Sequence, residues 1–97
     1  MSAIRHVLFR GRVQGVGFRA FVADEAVRMG VGGFVRNRRD GTVEAVFAGD
    51  EKIVEAIVAL CRKGSYASRV DGVEVRDASA EELALRGGEK FAVLPTV

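Results

Sequence analysis

Apolar and polar residues alternate with two different periods along the first third of the chain. Residues 4–12 alternate loosely with a period near two, which is typical of a strand. From Phe18 to Met29 the apolar residues recur every three or four positions, which predicts a helix ending at Gly30. The segment 13–17 between them contains two glycines and is predicted to be a loop.

The next segments predict a β-hairpin. Residues 33–38 and 42–48 are both rich in β-prone side chains, and Asp40-Gly41 lies between them. An Asp-Gly pair flanked by such runs is the strongest short-range hairpin signal. We therefore expect these two strands to pair in the antiparallel direction.

A second amphipathic helix follows the hairpin. We expect Asp50 to cap its first turn and Gly64 to end it. The predicted buried face of this helix consists of Ile53, Val54, Ile57, Val58 and Cys61.

The last third of the chain predicts two more strands. Residues 69–76 form a fourth strand, in which Gly72 marks a bulge or a close contact. Ser79 and Glu82 have the spacing of a capping box for a short helical turn, and residues 91–94 form a short last strand. The order β-α-β-β-α-β predicts an α+β, ferredoxin-like two-layer sandwich. Its sheet is mostly antiparallel, and both main helices cover one face.

Size and composition fit one globular domain spanning 1–97. The chain has 97 residues, of which 48% are hydrophobic and 29% charged. Cys61 is the only cysteine, so no internal disulfide framework or cysteine-based zinc cluster is expected. The N-terminus resembles no secretory signal and no apolar run is long enough to span a membrane, so we expect a cytoplasmic protein.

The charge is unevenly distributed. Residues 1–39 contain eight arginines and two acidic residues, a net charge of +6, whereas residues 40–97 carry −4. A basic first half suggests an anionic ligand, and a solvated arginine-rich surface is the equally open alternative. Arg36, Arg38 and Arg39 fit either interpretation.

The loop before the first helix has the features of an anion site. Residues 11–19 read GRVQGVGFR. Gly15 and Gly17 allow unusual backbone angles and have no Cβ to obstruct a ligand. The helix N-terminus supplies unpaired N–H groups, and Arg19 in the first turn adds a planar cation. Together these predict a nest for a tetrahedral anion such as phosphate.

Two other phosphate motifs do not fit. Residues 15–20 formally match the dinucleotide pattern G-x-G-x-x-A, but that fold requires a parallel β-α-β unit and a longer chain. The Gly-Lys-Ser/Thr ending of the ATPase phosphate loop is absent from the sequence.

Two segments together resemble one known family. GRVQGVGFR at 11–19 and GGFVRNRRDGTVE at 32–44 closely resemble the two motifs of the acylphosphatase family. These motifs are Gly-x-Val-Gln-Gly-Val-x-Phe-Arg and Gly-x-Val-x-Asn-x-x-Asp-Gly-x-Val-Glu. The resemblance extends over essentially the whole chain in length and element order. One departure is Gly64-Ser65, where family members often have Gly-Pro.

The resemblance implies hydrolysis of the mixed anhydride of a carboxylic acid and phosphate, without a metal ion or cofactor. Arg19 would hold the phosphoryl group and Asn37 would orient the attacking water. The backbone cradle would comprise Gln14, Gly15, Val16, Gly17 and Phe18. The expected partners are a small acyl phosphate and inorganic phosphate, as product and competitive inhibitor, with no nucleic acid or membrane. We expect the protein to be a monomer. The motifs do not distinguish between physiological acyl groups.

Other reactive residues have structural interpretations. His6 lacks a partnered nucleophile and is expected to be a strand residue rather than a catalytic base. Cys61 and Phe18 are expected in the core. Gln14 is expected to contribute its backbone N–H rather than its side chain.

The alternative function is a non-catalytic ferredoxin-like module that binds RNA or an acyl or carbamoyl phosphate. RNA binding would require Phe34 and Phe47 to face outward from the sheet. The sequence has no tryptophan and no RNP1 pattern. The presence of Arg19 and Asn37 argues against a domain that binds acyl phosphates without turnover.

Overall fold

A five-stranded sheet carries two long helices on one face, in a computed structural model that describes residues 1–97. The elements are β1 (Ser2–Arg12), α1 (Phe18–Met29), β2 (Gly32–Asn37), β3 (Val43–Asp50), α2 (Glu51–Lys63), β4 (Arg69–Asp77), α3 (Ala80–Leu83), a 3₁₀ turn (Ala84–Arg86) and β5 (Phe91–Val93). No helix has the length and apolar content needed to cross a membrane.

The strands lie in the order β4-β1-β3-β2-β5. The first three contacts in this order are antiparallel, and only β5 runs parallel to its neighbour β2. β1 and β2 are joined through α1 and are not neighbours, because β3 lies between them. This arrangement confirms the predicted ferredoxin-like α+β fold.

The main core lies between the sheet and the two long helices. Alternate strand residues such as Val7, Phe9 and Phe47 face the helices and are fully buried. Cys61 of α2 is buried in the same cluster, as predicted. Ile53 is 41% exposed and lies outside the buried face of α2, so its predicted place in that face is wrong.

A smaller apolar cluster lies on the other face of the sheet. Phe34 and Val46 are buried there with Ala92, and Leu83 of α3 packs against them. The predicted capping box of Ser79 and Glu82 forms and starts α3. Residues 79–88 thus cover the sheet at the end away from the β1–α1 loop.

This packing contradicts the outward-facing aromatics required for RNA binding. Phe34 and Phe47 are both buried, on opposite faces of the sheet. The guanidinium of Arg36 lies 5.2 Å from the centre of the Phe34 ring. Neither ring offers a surface on which a base could stack.

The β2–β3 hairpin forms, with a longer connection than the Asp-Gly pair alone. The amide of Arg38 donates to the carbonyl of Thr42 at 2.9 Å, and the amide of Gly41 donates to the carbonyl of Arg38 at 3.1 Å. Asp40 accepts hydrogen bonds from the backbone amide and the hydroxyl of Thr42 at 3.0 and 2.7 Å. These side-chain bonds hold the pKa of Asp40 below its usual value.

Asp50 precedes α2 as predicted, but its side chain makes no capping hydrogen bond. The amide of Glu51 instead donates to the carbonyl of Met1 at 2.8 Å. Asp50 is also the last residue of β3, paired with Ser2. Met1, which precedes the neighbouring strand β1, therefore supplies an acceptor at the start of this helix.

A buried charge cluster lies on the face of the sheet opposite the long helices. Glu44, only 6% exposed, accepts hydrogen bonds from His6 Nε2 at 2.7 Å and from Arg36 Nε at 2.5 Å. Arg38 lies 3.6 Å from the same carboxylate. Burial alone would raise the pKa of Glu44, but these hydrogen bonds outweigh it and the pKa is lowered.

We expect Glu44→Gln to lower the free energy of unfolding by about 3 kcal/mol, because it leaves the mostly buried guanidinium of Arg36 without its counter-charge. Urea unfolding measures the change. Glu74→Gln is the matched control: Glu74 pairs with Arg10 at the exposed surface, so its loss should cost about 0.5 kcal/mol or less. Equal small effects for both variants would show that the buried cluster does not stabilise the fold.

The ion pair of Glu82 with Arg76 predicts a loss of stability in acid. Hydrogen bonds from Arg76 and from the amide of Ser79 lower the pKa of Glu82 from 4.5 to about 2. A lowered pKa favours the folded state above pH 4.5, and this contribution is lost as the pH falls towards 2. The melting temperature of Glu82→Gln should therefore fall less over that range than that of the wild type. The adjacent Glu81→Gln should follow the wild type, and identical profiles for all three proteins would contradict the assignment.

Candidate active site

The loop between β1 and α1 ends in two glycines with left-handed backbones. Gly15 has φ +73° and Gly17 has φ +79°. A Cβ at either position would meet no atom within 4 Å, so the backbone angle alone disfavours other residues. Gly17 immediately precedes α1, whose first turn has neither a side-chain cap nor an acidic residue. The first amides and the positive end of the helix dipole therefore remain available to an anion.

Phe18 fixes the first turn of α1 to the core. Its ring is fully buried and packs edge-on against Phe9, with the ring centres 5.1 Å apart. The predicted core position of Phe18 is thus confirmed. Because Phe18 is fixed, the loop before it and Arg19 after it have a defined position relative to β1.

A cavity of about 190 Å³ lies between this loop and the end of β2. Its lining residues are Val13, Gly15, Gly17, Phe18, Arg19, Ala20 and Asn37. The structure therefore brings together five of the seven predicted site residues. Gln14 and Val16 do not line the cavity, and the side chain of Val16 packs against the core.

Asn37 is the last residue of β2 and lines the same cavity as Arg19. Its position is fixed by pairing with Val43 and by a hydrogen bond from the amide of Val97 to its carbonyl, at 3.2 Å. Its side-chain oxygen, Oδ1, is buried and has no hydrogen-bond partner. A buried acceptor without a partner is uncommon, and Asn37 lines a cavity large enough to hold a water molecule.

Arg19 differs from Arg36 and Arg38 in having no acidic partner. Arg36 and Arg38 both lie beside the Glu44 carboxylate, and Arg38 is also 3.8 Å from Asp40. Arg19 takes part in none of the chain's ion pairs. Its positive charge is therefore not neutralised by the protein.

The side chain of Gln14 has a role that sequence reasoning missed. Its amide nitrogen, Nε2, donates to the carbonyls of Arg38 and Thr42 at 2.7 and 2.8 Å. The sequence carried one signal of this role: Gln14 is the only residue of the loop 13–17 with a polar side chain.

His6 and Cys61 lie away from the cavity. His6 is a strand residue, as predicted, and contacts Glu44 on the sheet face opposite the long helices. Cys61 is buried under α2, and burial raises the pKa of its thiol to about 12. No cluster of three or more His, Cys, Asp or Glu side chains is arranged to hold a metal ion.

Comparison with known proteins gives one family. The family model Acylphosphatase matches residues 5–92. An acylphosphatase of Bradyrhizobium diazoefficiens is 59% identical over 98% of this chain and 97% of its own length. One from Nitrobacter hamburgensis is 55% identical over 99% of this chain and 98% of its own.

Solved structures agree with the sequence relatives. The crystal structure of acylphosphatase from Bacillus subtilis superposes with a TM-score of 0.83 and 35% identity, covering 97% of this chain and 99% of that one. Both the fold and the sequence match along the full length of the relatives. The chain therefore belongs to the acylphosphatase family, whose members are enzymes acting on acyl phosphates.

Proposed function

We propose that this enzyme holds the phosphoryl group of an acyl phosphate in the loop 14–18 and with Arg19, while Asn37 orients the attacking water. One observation supports the proposal most directly. Arg19, which no acidic side chain neutralises, and Asn37, whose Oδ1 has no hydrogen-bond partner, line the same small cavity. In such a cavity the cation is suited to binding an anion, and the acceptor is suited to binding a water molecule next to it.

In the proposed reaction, water attacks phosphorus and the bond from phosphorus to the acyl oxygen breaks. The electron pair leaves with the carboxylate, which is a weak base and needs no strong general acid. A phosphate oxygen of the substrate accepts the proton lost by the water. The products are one carboxylate and one inorganic phosphate.

The protein's contribution is positioning and charge stabilisation. Arg19 and the first amides of α1 donate hydrogen bonds to the phosphoryl oxygens, where charge is spread during transfer. Oδ1 of Asn37 accepts a hydrogen bond from the water, which leaves a lone pair of the water free to face phosphorus. An amide does not titrate, so this orientation holds over a wide pH range.

The wider setting is part of the same proposal. We propose hydrolysis without a metal ion or cofactor, by a monomeric, single-domain protein in the cytoplasm. Inorganic phosphate, as the product, competes with the substrate for the same cradle. Neither nucleic acid nor membrane takes part.

We expect Arg19→Ala to lower kcat/KM for benzoyl phosphate by at least ~10³, about 4 kcal/mol of transition-state stabilisation. Assays with EDTA present also test whether a metal ion is needed. Arg28→Ala is the control, because Arg28 lies at the other end of α1 and pairs with Glu25. A loss below tenfold for Arg19→Ala would remove Arg19 from the central role, and loss of wild-type activity in EDTA would exclude a metal-free reaction.

We expect Asn37→Ala to lower kcat about 10²-fold with little change in KM, since the water is ordered for the chemical step. Phosphate should still inhibit this variant competitively, whereas Arg19→Ala should lose that inhibition. A rise in KM with kcat unchanged would instead make Asn37 a substrate-binding residue.

A further inference from the structure

Gln14 connects two segments that the sheet keeps apart. β3 lies between β1, which leads into the phosphate loop, and β2, which ends at Asn37. The Nε2 group of Gln14 reaches past the start of β3 and donates to the carbonyls of Arg38 and Thr42 at 2.7 and 2.8 Å. Both acceptors are carbonyl oxygens, which fixes the orientation of the amide because only its NH₂ group can donate.

These two acceptors form the base of the β2–β3 turn. The amide of Arg38 donates to the carbonyl of Thr42 at 2.9 Å, so both ends of the turn are already joined to each other. Gln14 binds this closed turn from the loop side. No other hydrogen bond joins the loop 13–17 to the turn 38–42.

The connection acts directly beside Asn37. Arg38 follows Asn37 in the chain. The carbonyl that accepts from Gln14 is therefore one residue beyond the proposed water-orienting residue. On the loop side, Gln14 is next to Gly15, which lines the cavity. The two hydrogen bonds of Gln14 therefore join the chain segments that contribute Gly15 and Asn37 to the cavity.

We propose that the Gln14 side chain is a positioning residue that sets the place of Asn37 relative to the phosphate cradle. This inference rests on the proposed function of Asn37. It assigns Gln14 a side-chain role separate from its backbone N–H in the cradle. Small displacements of a group that orients a reactant slow the chemical step, so the effect belongs in kcat.

The test is a double-mutant cycle with benzoyl phosphate. Gln14→Met keeps the length of the side chain and removes both donors, and we expect it to lower kcat about tenfold. KM and the inhibition constant of phosphate should stay within about threefold of wild type, because Arg19 and the loop amides are retained. In an Asn37→Ala background, the same change should lower kcat less than about twofold, since the residue it positions is gone.

Two further variants separate positioning from general stability. Ser79→Ala removes the cap of α3 far from the cavity, so it should lower the melting temperature without changing kcat. Gln14→Glu has the shape of glutamine but presents a carboxylate to two carbonyls, so its kcat should be at least as low as that of Gln14→Met. If the methionine variant does not fold, the glutamate variant takes its place in the cycle.

Several results would overturn the assignment. These are an equal loss of kcat from Gln14→Met in both backgrounds, a wild-type kcat for Gln14→Glu, or loss of kcat in Ser79→Ala. If neither Gln14 variant folds, Gln14 is needed for the fold and is not a positioning residue. If Asn37→Ala keeps wild-type kcat, the proposed function itself fails and the assignment of Gln14 fails with it.

Discussion

The placement of β3 between β1 and β2 is the constraint on which the proposed site depends. The cradle follows β1 and Asn37 ends β2, so neither strand can align the other through direct pairing. Their relative position is set through β3, which pairs with both, and through the core that α1 and α2 form with the sheet. Phe18 attaches the loop to this core, because its buried ring packs against Phe9 and fixes the first turn of α1.

The two faces of the sheet differ in how their polar groups are satisfied. On the face opposite the long helices, Glu44 gathers His6 and Arg36 into a satisfied, buried cluster. On the helix side, Arg19 is left without a counter-ion and Asn37 without a partner for Oδ1. The polar groups of the Glu44 cluster therefore satisfy one another, whereas Arg19 and Asn37, which we assign to the reaction, have no protein partner for these groups. Unsatisfied groups are expected at a site where a ligand supplies the missing partner.

The sequence pattern predicted the fold closely because its periodicities and turn residues agree with one another. Strand two was expected at 33–38 and lies at 32–37, and the capping box at Ser79 forms. The exceptions depend on tertiary contacts. At the start of α2, Asp50 makes no cap and the Met1 carbonyl accepts from the first helical amide, and the exposure of Ile53 reflects how α2 is rotated on the sheet. The partners of the Gln14 side chain could not be predicted from the sequence for a similar reason. Its acceptors are backbone carbonyls, which every residue has.

The composition of the cavity wall decides what controls the chemistry as acidity changes. Among its lining residues only Arg19 is ionisable, and a guanidinium keeps its proton throughout the range in which proteins stay folded. The wall therefore holds no group that could switch the reaction on or off near neutrality. If the proposed reaction holds, a dependence of turnover on acidity near neutrality comes from the substrate, through the protonation of its phosphate. The rate of such an enzyme follows the ionic form of the molecule that it hydrolyses.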